Sequence, residues 1–210
     1  MTLTASAVWE FVQAERARLT DDLESSTPRD WATPSLCPGW DVHDVLAHLV
    51  DSARTSRIRF ATRMAFARFD FDADNATGIA RERRTDPRET LAAMRAAVPL
   101  TRSPIAPRPT RLVEAIVHGE DIRRPLGIAA TYAPDAVAAA LAYQVKTPTA
   151  FGGGRERVDG LRLVATDTEF DMGAGIVVRG RAVDLLLAVS GRAVSAAAFD
   201  GPGAAQLAAG

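Results

Sequence analysis

Glu114 and His118 stand four residues apart in the stretch Pro109–Gly127, PTRLVEAIVHGEDIRRPLG. On a helix that spacing puts both side chains on one face, about 5–6 Å apart at Cβ. Ala115, Ile116 and Val117 lie between them, so the pair sits in an apolar segment. A carboxylate and an imidazole converging on one helix face suit a divalent metal. They equally suit a structural Glu–His hydrogen bond. A metal needs at least a third ligand, and His48 is the candidate. His48 stands beside Leu49 on the Val45/Leu49 side of another helical stretch, which points it inward. Three protein ligands with one open position is the catalytic arrangement for zinc, whereas structural zinc is usually closed by four. On residue types and spacing alone His48 could also be a satisfied core histidine, and both readings stand. His43 lies in the first turn of its helix beside Asp44 and is expected at the surface; Asp44 is placed to reach His48.

Helices must carry these residues. An apolar stripe of Val8, Phe11, Val12, Leu19 and Leu23 predicts an amphipathic helix over residues 4–25, stopped at Thr27-Pro28. The connector Pro28–Trp40 carries two Trp and three Pro, and both indoles are expected to pack over the bundle end. Asp41 reads as an N-cap, with Asp44 at N3, for a helix over 42–67. Residues 70–84 read as a loop with a short helix. Asp86-Pro87 opens a helix to about Val98. Pro99, Pro104, Pro107 and Pro109 stiffen the next connector, and the Glu114/His118 helix ends near Arg124-Pro125. Another helix is expected over Asp135–Val145. Long helices with connectors that favour adjacent packing predict a helix bundle over residues 1–148.

The pattern changes after Thr147. Gly152–Gly154 reads as a flexible junction; it lacks the Lys-Ser/Thr and the strand–helix context of a phosphate loop. Residues 160–167 and 175–180 have strand character, and Arg181–Val189 reads as a helix closed by Gly191. Residues 155–205 are thus expected to form a small α+β domain.

Composition narrows the function. The 210 residues are 47% hydrophobic, enough for a sizeable core, and 25 basic against 26 acidic residues give a net charge of -1. That balance gives no reason to expect a nucleic-acid or acidic-membrane partner. Lys146 is the sole lysine, and an Arg- and Ala-rich chain suggests a GC-rich bacterial genome. Cys37 is the sole cysteine, so no intramolecular disulfide forms, in keeping with a reducing cytosol. No signal peptide is evident, and the longest apolar runs are too short to span a bilayer, so a cytoplasmic protein is expected. Cys37 lies between Leu36 and Pro38 in a packed-looking turn without an evident His/Asn partner set, which argues against a nucleophile.

Three blocks carry a resemblance. WATPSLCPGWDVHDVLAHLV (residues 31–50) closely resembles the N-terminal motif of the mycothiol-dependent maleylpyruvate isomerase family, which belongs to the DinB-like four-helix metalloprotein superfamily. LVEAIVHGEDIRRPLG (112–127) looks like the family's E-x-x-x-H-x-x-D segment. The stretch 160–192 is similar to its sterol-carrier-like C-terminal domain. The resemblance implies a mainly α protein, a DinB-like bundle with a small C-terminal α+β domain. It places the metal ligands on His48, Glu114 and His118, and an acidic neighbour on Asp121. It places an active-site arginine on Arg192, with Arg179 the weaker match. It implies a divalent metal, zinc foremost, and mycothiol as thiol cofactor. The implied activity is a detoxifying isomerase or S-transferase in which a metal-activated thiolate adds to a small electrophilic, carboxylate-bearing substrate. The alternative is a non-catalytic DinB-like stress-response protein. Asp121 would orient His118, or else face solvent. Arg192, Arg123 and Arg57 are candidates for holding the carboxylate, since the guanidinium fork binds it bidentately. The expected oligomeric state is a monomer or homodimer.

Overall fold

The computed structural model describes residues 3–66, 70–103 and 106–209. Packing divides the chain into two compact units, Ala5–Ala130 and Thr131–Gly210.

The first unit is the bundle. Its core joins four helices: α1 (Ala5–Asp22), α3 (Val42–Arg54), α6 (Pro87–Ala97) and α7 (Pro109–Arg123). Leu19, Val45, Leu46, Leu49, Leu91, Met94 and Ile122 meet in it, with Trp31 and Cys37 closing one end. A short helix, α2 (Pro28–Trp31), precedes that end; Thr27 and Asp30 form its capping box. Trp31 is buried and Trp40 packs against the core, as the connector's composition predicts.

The start of α3 follows from its sequence. Asp41 accepts from Asp44 N at 2.7 Å, and Asp44 accepts back from Asp41 N at 3.1 Å. Arg83 clamps both carboxylates. Asp44 is therefore committed to the cap and to Arg83, which corrects its expected approach to His48. His43 is also corrected. It is buried, its Nε2 lies 2.8 Å from Thr90 Oγ1, and Trp31 stands edge-on to its ring.

The helix expected over 42–67 is two helices, α3 and α4 (Arg57–Phe66), and its expected end at Ala67 lies outside the described residues, as does Pro104. The break falls at Thr55, which is extended (ψ 118°) and bonds its hydroxyl to Asp51 O at 2.8 Å. Apolar periodicity runs through this point, so the pattern alone does not reveal it. The turn lets Arg63 pair with Asp51 and with Asp74, each at 2.7 Å. Asp74 lies on α5 (Phe71–Glu82), a full helix capped by Asp70 where the sequence suggested a loop and a short helix. Gly78 of α5 lies against Asp51, and a Cβ there would collide with that carboxylate.

The second unit holds α8 (Pro134–Gln144), a four-stranded sheet, α9 (Ala182–Val189) and α10 (Ala204–Ala209). The strands are β1 (Leu161–Ala165), β2 (Asp171–Gly173), β3 (Ile176–Gly180) and β4 (Phe199–Asp200), in the order β2-β1-β3-β4. β1 and β3 run parallel, with Leu163 opposite Val178; β2 and β4 pair antiparallel at the edges. β2 and β4 are too short to alternate, so periodicity does not signal them. The sequence grouped α8 with the bundle, but it packs on α9 within this unit. Gly152–Gly154 is a packed turn, not a flexible junction. Gly154 N donates to Gln144 O at 3.0 Å, and Gln144 Nε2 reaches both Gly152 O and Ser190 Oγ. A Cβ on Gly153 would overlap Thr147 O, and one on Gly154 would overlap Val189 O. No helix among the described residues is long and apolar enough to cross a membrane.

Candidate metal centre

Two helices and one loop build the site. α3 supplies His48 and, one turn later, Ser52. α7 supplies Arg111, Glu114, His118 and Asp121, at successive turns of one face. The loop between α2 and α3 supplies Cys37 and Trp40, and it is pinned to α7 by Leu36 N donating to Asp121 O at 3.2 Å.

The rings of His48 and His118 meet edge to face, with centroids 4.9 Å apart. Trp40 lies over both, 5.2 Å from His48 and 6.4 Å from His118. Asp121 is fully buried, which removes the solvent-facing reading of its side chain. Its Oδ2 lies 2.9 Å from His118 Nδ1. A buried carboxylate there favours the Nδ1–H tautomer and leaves Nε2 for ligation. Glu114 Oε2 accepts from Ser52 Oγ at 2.6 Å and from Arg111 Nη1 at 2.7 Å. Arg111 Nη1 also donates to Ser52 Oγ at 2.9 Å.

Burial and neighbouring charge set the protonation states. Burial, with His118 beside it, pushes His48 down to about 3, so the imidazole is neutral at pH 7. Burial would raise Glu114, but Arg111, His48, the Ser52 hydrogen bond and Arg16 together outweigh it and hold it below the ordinary glutamate range. Neutral imidazole and ionised carboxylate are the forms a metal binds.

A pH test follows. Unfolded histidine titrates near 6.5, so below that pH the unfolded chain binds a proton that folded His48 refuses until about 3. The stability this contributes is complete above about pH 6.5 and is lost as pH falls toward 3. Urea unfolding of metal-free protein at pH 7 and pH 5 should show a larger loss for the wild type than for His48→Gln. Equal losses would contradict the assignment.

Cys37, His118 and Asp121 form a second grouping. Cys37 Sγ donates to Asp121 Oδ2 at 3.2 Å and lies 3.9 Å from His118 Nδ1. Among the described residues this is the one trio whose possible ligand atoms all lie within 4.8 Å of one another. The His48–Glu114–His118 set does not meet that limit, with Glu114 turned to Arg111 and Ser52. The partner set that the sequence did not reveal around Cys37 is thus His118 and Asp121.

The arginines divide. Arg123 is no substrate cation: it is buried and ion-paired to Glu15 and, at 2.7 Å, to Asp22. Arg57 is exposed at the start of α4, and Arg179 is exposed on β3. Arg192 belongs to the second unit, where its Nη1 donates to Ser190 O at 2.9 Å just past α9. Ser52 and Arg111 were not singled out from sequence. Their spacings, four residues from His48 and three from Glu114, are the signal that could have found them.

Side chains on facing helices are what bundles use to build metal sites, and here α3 and α7 gather two histidines and acidic residues in that way. Residues 12–109 match the family model described as the mycothiol maleylpyruvate isomerase N-terminal domain. The match includes Cys37, Trp40 and His48 and ends before Glu114 and His118. The fold is similar to that of a crystal structure of the mycothiol-dependent maleylpyruvate isomerase in a histidine-to-alanine mutant form. That likeness has a TM-score of 0.65 at 15% identity and covers 96% of each chain. A second crystal structure of the mycothiol-dependent maleylpyruvate isomerase gives a TM-score of 0.62 at 17% identity, covering 91% of this chain and 92% of that one. No curated protein matches the sequence.

Proposed function

We propose that the chain is a metal-dependent, mycothiol-using isomerase or S-transferase for a small electrophilic substrate, with the metal held by His48, Glu114 and His118. The observation that carries this reading is the pairing of the two imidazoles at 4.9 Å, with His118 Nδ1 already occupied by Asp121. Two neutral imidazoles and an ionised carboxylate are a donor set that fits zinc and its first-row relatives. All three residues are partly exposed, whereas Cys37 and Asp121 are buried. The first set, with all three members reaching the surface, is the better placed to keep a position open.

A divalent metal bound there would hold a thiol as thiolate at neutral pH. Mycothiol would supply that sulfur for addition to an activated double bond, followed by rotation and release in an isomerase, or by release of the adduct in a transferase. The chain's own residues prepare the site. Asp121 fixes the tautomer and direction of His118. Arg111 and Ser52 fix Glu114 in its ionised form. Trp40 covers both imidazoles and keeps water from their faces. A substrate carboxylate would need a cation, the role that the family resemblance gives to Arg192. The second reading, a non-catalytic metal-binding protein, is favoured by the close Cys37–His118–Asp121 grouping, which would enclose an ion without access for a thiol.

Thermal unfolding with zinc, with mycothiol and with both distinguishes these readings. Zinc alone should raise Tm, and mycothiol should raise it further only when zinc is present. A zinc shift that mycothiol leaves unchanged would support the non-catalytic reading, and no zinc shift would refute both.

A further inference from the structure

Arg16 lies on α1, outside every motif of the sequence, and is 4% exposed. Its Nη1 donates to Leu100 O at 2.8 Å and to Ala97 O at 3.4 Å, so it caps the end of α6. Its Nη2 is buried and has no hydrogen-bond partner among the described residues. A guanidinium carries five donors, and burying one unpaired costs more than a neutral hydrogen bond contributes. Capping α6 accounts for Nη1 alone.

Arg16 and Glu114 line the same small cavity, walled by Val12, Leu19, Leu49 and Met94. Its volume is ≈ 10 Å³, room for about one water. Arg16 and Arg111 both act electrostatically on Glu114, from α1 and from α7. Ser52 and Arg111 bind only Oε2 of that carboxylate. Apart from these groups the cavity wall is apolar, save for Glu15, which is paired with Arg18 and Arg123.

We propose that Arg16 is a positioning residue for Glu114, its Nη2 reaching the carboxylate through one water held in this cavity. Arg111 and Ser52 grip the carboxylate directly, and Arg16 braces it from the bundle interior. The bracing ties the α6 terminus to the metal site. Carboxylates that ligate metals are themselves hydrogen-bonded, and losing such a partner typically costs 10–100-fold in metal affinity. The inference rests on the metal reading given above.

The test is zinc affinity by chelator competition on the whole chain, with the Tm of the metal-free form measured alongside. Arg16→Met should weaken zinc binding about tenfold, and Arg16→Lys should fall between it and the wild type. A role confined to capping α6 would lower the metal-free Tm and leave zinc affinity unchanged. Wild-type affinity in both variants overturns the proposal. If Arg16→Met does not fold, Arg16→Lys decides: weaker zinc binding supports the proposal and unchanged binding overturns it. A wild type that binds no zinc refutes the metal reading itself, and this inference with it.

Discussion

His118→Ala is expected to abolish zinc-dependent stabilisation. His118 carries more than its own ring, because Asp121 is buried against it and Cys37 is bonded to the same Oδ2. Loss of an outer partner alone costs 10–100-fold in metal affinity, so loss of the ligand should cost more than about a hundredfold. At zinc concentrations about 100 times the wild-type Kd, the metal adds about 2.7 kcal/mol of stability. Most of that increment should vanish in the variant. The metal-free variant should also lose some stability, since the buried Asp121 carboxyl loses its imidazole partner. A variant that retains the wild-type zinc shift would remove His118 from the ligand set.

Arg123→Met is expected to be the most damaging single change in the bundle outside the metal site. Arg123 is 1% exposed and joins α7 to α1 through Glu15 and Asp22. Removing one partner of a buried pair typically costs 3–5 kcal/mol, because the other charge is left in the interior. Among the described residues Glu15 would retain its ion pair with Arg18, whose side chain is half exposed. Replacing both charges by apolar or neutral groups is often close to neutral. The double variant Glu15→Gln/Arg123→Met should therefore recover much of the loss in urea unfolding. A single-variant cost below about 1 kcal/mol would mean that the pair behaves as a surface salt bridge.

The bundle was legible where local chemistry decides it. Asp41 with Asp44, and Asp86 with Pro87, mark helix starts, and the structure places α3 and α6 at those points. The Glu114–His118 face is likewise a local pattern, borne by α7. What the sequence concealed is non-local. Cys37 meets groups 81 and 84 residues away, so its turn looked like packing alone. Arg123 resembled a substrate cation because Glu15 lies 108 residues earlier. His43 reads as a surface residue from its place in the first turn beside Asp44, yet Thr90 on another helix and Trp31 enclose it. The break at Thr55 depends on the Arg63–Asp51–Asp74 ion pairs that it permits. Gly152–Gly154 has the composition of a linker, and only the backbone against which it packs makes it a fixed turn.

Zinc K-edge X-ray absorption of the loaded protein would identify the atoms that hold the metal. Nitrogen and oxygen neighbours only are expected, from His48, Glu114 and His118, with one sulfur neighbour appearing when mycothiol is added. A sulfur neighbour in the protein without added thiol would assign the metal to Cys37, His118 and Asp121 and contradict the open site.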